Sequence, residues 1–483
     1  METFRSVNPA RPAEVVGEFP LHGADDVDTA VERAAAAQRS WARVPVPGRA
    51  DVIGAAGRLL ARDKSRLASL VSREAGKVLV EAGGDVQEGI DMAAFVAGQG
   101  RSALGDVVAS ELVDKMAWTT RQPVGVVGMI TPWNFPVAIP SWKIFPALLA
   151  GNGIVVKPSE HTPACCEALV EVCHEAGVPG DLVQVVHGRA EPAAALAVHP
   201  GVGAVSFTGS VPTGRRVAAA AMADGPRLVS LELGGKNAMV VMPDADLDLV
   251  LEGAIFGAFG TAGQRCTSTS RLVVHRDVAG EAVERIVERA RELRLGDPQD
   301  GATDVGPVID GAAAQRITGM VDAAVAEGAS VACGGERVAV AGCDGGEFVT
   351  PTVLTGVRPG HRVAREEVFG PVLAVIEVGG LDEAVEVVNA VEYGLSAAVY
   401  TRDINAALRA VDTIDAGIVY VNAPTIGAEI PLPFGGTKHT GNGFREAGTR
   451  GIEQFSQPKT VYVDYSGRLQ KAQIDTQRLG EDA

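Results

Sequence analysis

Ala204-Val205-Ser206-Phe207-Thr208-Gly209-Ser210-Val211-Pro212-Thr213-Gly214 reads as a strand that turns at a glycine into a helix. The apolar run Ala204 to Phe207 has strand character, and Pro212 suits the first turn of a helix running to Ala223. The same unit recurs on both sides. Upstream, strands are expected at Val124–Ile130, Gly153–Lys157 and Leu182–His187, separated by helices Trp142–Ala150 and Pro163–Gly177. A short helix follows from Pro192, and Leu228–Leu233 is a further strand. This alternation predicts an α/β fold with a parallel, doubly wound sheet. A nucleotide would bind at the carboxyl ends of its strands. No G-x-G-x-x-G follows the first strand. The Gly209 to Gly214 turn is the candidate instead: Gly209 permits close backbone approach, and the helix N-terminus with the Ser210 hydroxyl can meet a pyrophosphate. A plain turn is the competing reading.

Outside this core the chain begins with an extended arm over residues 1–24, with Glu14–Phe19 strand-like. Asp26 reads as the N-cap of an Ala-rich helix, Val27–Ala42, and the Pro45/Pro47 pair breaks it. Arg49–Asp63, Lys64–Gly76 and Asp85–Arg101 have helical periodicity. Between Ser110 and Pro123 the pattern turns to β, and Thr460–Tyr465 matches it. A second α/β block, Asp244 to about Gly435, holds helices Leu249–Phe259 and Gly280–Leu293 and strands Arg271–His275, Val372–Val378 and Ile418–Asn422. Gln470 to Ala483 reads as a loose tail.

At 483 residues the chain exceeds one ordinary core, so two or more domains are expected. The net charge of −17 argues against a nucleic-acid or anionic-membrane partner. No signal peptide or membrane-spanning run is visible. The six cysteines form no CxxC pair, so neither a disulfide framework nor a metal site is expected, and a reducing cytoplasm is the expected compartment.

Chemistry concentrates near Gly263-Gln264-Arg265-Cys266-Thr267. A thiol among small and polar residues can be approached by a ligand, with backbone N–H groups facing it. A small buried hydrophobe is the competing reading. Upstream stands Glu232 between Leu231 and Leu233, followed by Gly234-Gly235-Lys236: a carboxylate in apolar surroundings is a candidate base of raised pKa. Asn134, between Trp133 and Phe135, is a candidate oxyanion donor or else a turn residue.

Seven elements in order carry a family resemblance. They are Pro132-Trp133-Asn134-Phe135-Pro136, Lys157-Pro158-Ser159-Glu160, Phe207-Thr208-Gly209-Ser210, Glu232-Leu233-Gly234-Gly235-Lys236, Gly263-Gln264-Arg265-Cys266, Glu367-Val368-Phe369-Gly370-Pro371 and Pro433-Phe434-Gly435-Gly436. With them the chain resembles the aldehyde dehydrogenase superfamily over nearly its whole length. The resemblance implies a Rossmann-type NAD-binding domain (residues 1–105, 125–232 and 436–453) and an α/β catalytic domain (233–435). It adds a β oligomerisation arm (106–124 and 454–470) and a C-terminal tail (471–483).

It also implies roles. Cys266 would be the nucleophile, forming a thiohemiacetal and then a thioester. The Asn134 amide and the Cys266 backbone N–H would hold the oxyanion, and Glu232 would activate the hydrolytic water, with activation of the thiol as a second candidate role. Lys143 is a candidate for the oxyanion region or a proton relay, with a plain helix lysine as the alternative. For NAD, Lys157 and Glu160 would take the adenosine ribose, where a carboxylate disfavours the 2′-phosphate of NADP. Gly209, Ser210 and Gly214 would line the pyrophosphate, Glu367 and Phe369 the nicotinamide ribose, and Pro132 and Trp133 would flank the dinucleotide. Phe135, Trp142 and Phe434 would wall the aldehyde channel.

Arg265 would either pair with a substrate carboxylate or tie its loop to a nearby acid. Asp85-Val86-Gln87-Glu88 and the Asn422–Ile430 loop are similar to antiquitin-like and semialdehyde dehydrogenases, departing from antiquitin at Ile430-Pro431-Leu432-Pro433. The resulting expectation is NAD-dependent oxidation of an aldehyde, including a carboxylated semialdehyde, by a homodimer or homotetramer. A CoA-acylating relative and a non-catalytic member of the fold are the alternatives.

Overall fold

Two parallel sheets organise the chain, which a computed structural model describes over residues 2–102 and 105–474. The first has five strands in the order Val183–Val185, Gly153–Lys157, Val126–Ile130, Val202–Thr208, Leu228–Glu232, all parallel. The chain starts at the central strand, winds to one side, and returns to the other. The reversal leaves a crevice beyond the carboxyl ends of Val126–Ile130 and Val202–Thr208, as the alternating pattern predicted. All five residues of the central strand are buried, as are all five of Gly153–Lys157. That explains their continuous apolar runs: helices cover both faces.

The second sheet has seven strands, ordered Ser330–Cys333, Thr352–Thr355, Val372–Val378, Thr269–His275, Asn237–Val241, Ser396–Tyr400, Ile418–Val421. Its first strand is antiparallel to its neighbour and the rest are parallel. Only Leu233–Lys236 separates the last strand of the first sheet from the strand at Asn237. The carboxyl edge of one sheet therefore meets the amino edge of the other.

Several expected boundaries moved. Asp26 is not the N-cap of the first helix, which spans Ala24–Trp41; it is the third residue, and its carboxylate accepts from the Gly23 N–H at 2.9 Å. The helix expected at Asp85 begins at Leu79, and the one expected at Trp142 begins at Ala138. In both cases tertiary packing extends a helix through residues of weak propensity, Gly83-Gly84 and Pro140. The two β segments pair with each other: Ser456–Asp464 runs antiparallel to Lys115–Pro123, with Val107–Val108 on the far edge. Their apolar alternation faces outward, with Val107, Met116 and Tyr462 exposed. The expected tail from residue 475 onward lies outside the described residues.

Just before Cys266, three successive residues adopt left-handed backbone: Thr261, Ala262 and Gly263, with φ of 54°, 51° and 68°. For the two non-glycines this costs free energy that the surroundings must offset. The Glu81 carboxylate does so, accepting from the Thr261 N–H at 2.8 and 2.9 Å. At Gly263 a Cβ would lie 2.1 Å from the Gly370 carbonyl oxygen. Gly263→Ala should therefore lower stability by about 2–4 kcal/mol through strain and clash combined. Gly280→Ala, on the exposed face of helix Arg276–Glu292 where a Cβ meets nothing within 4 Å, should raise it by about 0.5–1 kcal/mol. Thermal unfolding of the two variants beside wild type checks both signs.

Candidate active site

The cysteine loop is held from three directions. Asn237, the first residue of its strand, donates from Nδ2 to the Cys266 carbonyl at 2.8 Å and to the Ser268 carbonyl at 2.9 Å. Asn134 donates from its amide to the Gln264 carbonyl at 2.9 Å, and the Gln264 side chain accepts from the Ile309 N–H at 3.0 Å. Arg265 donates to the Thr261 hydroxyl at 2.9 Å and pairs with Glu81 at 3.2 Å. Of the two roles weighed for Arg265, the tie to a nearby acid is the one observed. Its guanidinium also lies 5.4 Å from the Phe135 and Phe256 ring centroids. Asn134 stands behind the loop, with one of its two amide protons spent on Gln264.

Cys266 and Glu232 line the same pocket, of about 70 Å³. Phe135, Ile139, Trp142, Thr208 and Phe434 form most of its wall, with Gly427 and Ala428 from the Asn422–Ile430 loop. Trp142 and Phe434 meet edge to face, with centroids 5.2 Å apart. Glu232 is 3% exposed, and neither of its carboxylate oxygens has a hydrogen-bond partner. Burial pushes its carboxyl well above the ordinary range, and Glu446 adds to this while Lys143 and Arg445 oppose it. Burial also pushes the Cys266 thiol up, helped by Glu367, Glu232 and Glu446.

Glu446 was not legible as a site residue. It arrives on a segment pinned to Phe434 by paired backbone bonds of 2.7 and 2.8 Å, and its carboxylate pairs with the Lys143 ammonium. Lys143 also donates to Ser206 at 2.8 Å. Lys143 is thus fully buried in an ion pair beside Glu232, not a plain helix lysine. Glu81 was missed too. Neither glutamate carries a local motif; each acts on partners far along the chain.

The remaining candidates lie at strand ends of the first sheet and on the segment that carries Glu367 and Phe369, just before strand Val372–Val378. Lys157, at the end of its strand, lies 3.6 Å from the Glu160 carboxylate. Ser210 precedes helix Val211–Ala221, and its hydroxyl bonds Thr213 at 3.1 Å. Gly214 lies on that helix, where a Cβ would strike the Leu233 side chain at 2.4 Å, so its smallness serves helix-to-strand packing. Trp133, following Pro132, packs edge to face on Phe369 at 5.6 Å. Glu367 accepts from the Gly235 N–H at 3.1 Å, and a Cβ on Gly234 would overlap its carboxylate. Burial pushes the Glu367 carboxyl up to about 7.

The described residues hold no cluster of three or more His, Cys, Asp or Glu side chains able to bind a metal ion, and no helix long and apolar enough to cross a membrane.

Comparison with known proteins gives a consistent picture. The chain matches the Aldehyde dehydrogenase family over residues 1–461. It is 37% identical over 457 residues to an α-ketoglutaric semialdehyde dehydrogenase of Bacillus subtilis, covering 94% of this chain and 93% of that protein. It is 42% identical over 466 residues to a 3,6-anhydro-α-L-galactose dehydrogenase of Streptomyces coelicolor, covering 96% and 94%. Among solved structures, an NAD-dependent aldehyde dehydrogenase from Sinorhizobium meliloti superposes with a TM-score of 0.94 at 38% identity, covering 98% of this chain and 93% of that one. With a family match spanning nearly the whole sequence and relatives of this identity and coverage, the chain belongs to the aldehyde dehydrogenase family.

Proposed function

We propose that this protein oxidises an aldehyde to its carboxylic acid with NAD, and that Cys266 is the nucleophile. One observation carries the reading: a thiol and an unpartnered buried carboxyl, Cys266 and Glu232, share one narrow pocket at the meeting edge of the two sheets. The Cys266 sulfur adds to the carbonyl as its thiol proton passes to water in the pocket. The second N–H of the Asn134 amide and the Cys266 backbone N–H hold the oxyanion. NAD supplies the hydride acceptor. The acyl group left on sulfur is a thioester. Glu232, its carboxyl raised well above the ordinary range by burial, takes a proton from the water that hydrolyses it. Glu446 and Lys143 lie beside Glu232, placed to pass that proton on. Glu232 also favours hydrolysis over acyl transfer to CoA, which needs no such base.

The residues present fit the cofactor. The crevice lies at the sheet's reversal, a helix N-terminus opens into it at Ser210, and Lys157 with Glu160 stands at the next strand end. Glu160 favours NAD over NADP because a carboxylate accepts ribose hydroxyls and repels a phosphate. In this reading residues 1–105, 125–232 and 436–453 form the cofactor-binding unit and 233–435 the catalytic unit.

The relatives named for semialdehydes support a carboxylated semialdehyde as a substrate class. The three-stranded sheet, with exposed Val107, Met116 and Tyr462, fits burial against a second copy, as a homodimer or homotetramer. Six free thiols suit the reducing cytoplasm.

Cys266→Ala should remove NADH production with every aldehyde while NAD still quenches tryptophan fluorescence; residual turnover above a few per cent would refute the nucleophile. Glu232→Gln should give a burst of NADH followed by slow turnover, since hydrolysis suffers more than hydride transfer; loss of the burst would assign Glu232 to thiol activation instead. Glu160→Ser should shift the NADP/NAD ratio of kcat/KM upward by roughly tenfold or more, the scale of a relieved like-charge contact. An unchanged ratio would mean that Glu160 does not face the ribose.

A further inference from the structure

Glu88, on helix Leu79–Gly98, lines the aldehyde pocket together with Phe135, Ile139, Trp142 and Cys266. Among the described residues it makes no side-chain hydrogen bond or ion pair. The cations around it are already engaged. Lys77 donates to Asp85 at 2.9 Å and to the Asn134 carbonyl at 3.1 Å, with its ammonium 3.4 Å from the Phe135 centroid. Asp85 also accepts from the N–H groups of Val137 and Ala138. Arg265 is held by Glu81 and Thr261. At the other end of the pocket Lys143 belongs to Glu446. The two unpaired charge-bearing groups on the wall are therefore both acids, Glu232 at the reacting end and Glu88 along the channel.

We propose that Glu88 is a specificity-determining residue: its carboxyl admits carboxylated aldehydes when protonated and excludes them when ionised, while uncharged aldehydes of equal length enter in both states. The inference rests on the dehydrogenase reading above and decides which of its substrate classes the pocket takes at a given pH. A second carboxylate placed beside an ionised Glu88 meets repulsion that Arg265 and Lys77, both hydrogen-bonded elsewhere, offset only in part. A protonated Glu88 instead offers an O–H donor to the substrate carboxylate.

Burial pushes the Glu88 carboxyl up to about 7; Asp85 and Asp91 on its own helix raise it further, and Lys77 and Arg265 hold it down. Protonated Glu88 thus dominates below neutral pH and ionised Glu88 above it, whereas a substrate carboxylate stays ionised throughout. Glu367 and Lys236 also have values near 7, and Cys266 and Glu232 titrate as well. Their effects on steps common to every aldehyde cancel in a ratio of two substrates, and Glu88→Gln separates the charge effect of Glu88 from that of Glu232 on the same wall.

The test is the ratio of kcat/KM for succinic semialdehyde to that for butanal, measured with NAD from pH 6 to pH 8.5. In wild type the ratio should fall by about tenfold as pH rises, the scale expected for two like charges a few ångströms apart in a partly buried site. Glu88→Gln should give a ratio that is flat with pH and close to the wild-type value at pH 6. Glu88→Asp should keep a pH-dependent ratio. A flat wild-type ratio, or a slope that survives in Glu88→Gln, overturns the proposal. Should Glu88→Gln not fold, as judged by its melting curve, the wild-type slope and Glu88→Asp decide the matter. Failure of the enzyme to oxidise either aldehyde would instead strike at the dehydrogenase reading, so the two failures are distinct.

Discussion

Between Glu232 and Asn237 the chain leaves one sheet and enters the other, and much of the site depends on how Asn237 closes that step. Its amide binds the carbonyls on both sides of Thr267, and its oxygen accepts from Ser396 N–H at 3.1 Å on the adjacent strand. One side chain thus satisfies three buried backbone groups from two separate segments. Leaving such groups unpaired would cost about 1–3 kcal/mol each. The cysteine loop cannot drift without breaking those bonds, and Glu232 is the last strand residue before the same crossing. Cys266 and Glu232 are therefore positioned by one short connection and not by two independent loops.

The electrostatics around that connection are unusual for their unpaired acids. Glu232 and Glu88 each face the pocket without a partner, and Glu367 sits under burial with a single backbone donor. Burial outweighs the nearby cations and raises all three carboxyls, to about 7 for Glu88 and Glu367, the range where a carboxyl can both take and give a proton. The cations, in contrast, are committed: Lys77 to Asp85, Lys143 to Glu446, Arg265 to Glu81. These pairs tie distant segments together across the site.

Strain is concentrated where the chemistry is. The left-handed run Thr261–Gly263 lies immediately before the cysteine, and Phe369, at φ 52°, lies beside the Glu367 contact. In each case a tertiary contact holds the backbone in place: Glu81 for the first, and the packing of Phe369 on Trp133 for the second. Neither conformation would persist in an isolated peptide.

How much of this was written in the sequence follows from the range of the forces involved. The alternation of apolar runs and helical periodicities is local, so all five strands of the first sheet were legible; in the second sheet Arg271–His275, Val372–Val378 and Ile418–Asn422 were expected, and Asn237–Val241, Ser330–Cys333, Thr352–Thr355 and Ser396–Tyr400 were not. Helix starts at Leu79 and Ala138 were not, because packing carried the helices through glycines and prolines that local propensity treats as stops. Glu81 and Glu446 were invisible for a stronger reason: they meet their partners across 184 and 303 positions of chain. The fate of Arg265 was equally undecidable in one dimension, since a guanidinium next to a nucleophile looks the same whether its carboxylate comes from a substrate or from a helix folded back from residue 81. Local pattern determined which residues could react; only the folded chain decided which charges were already spent.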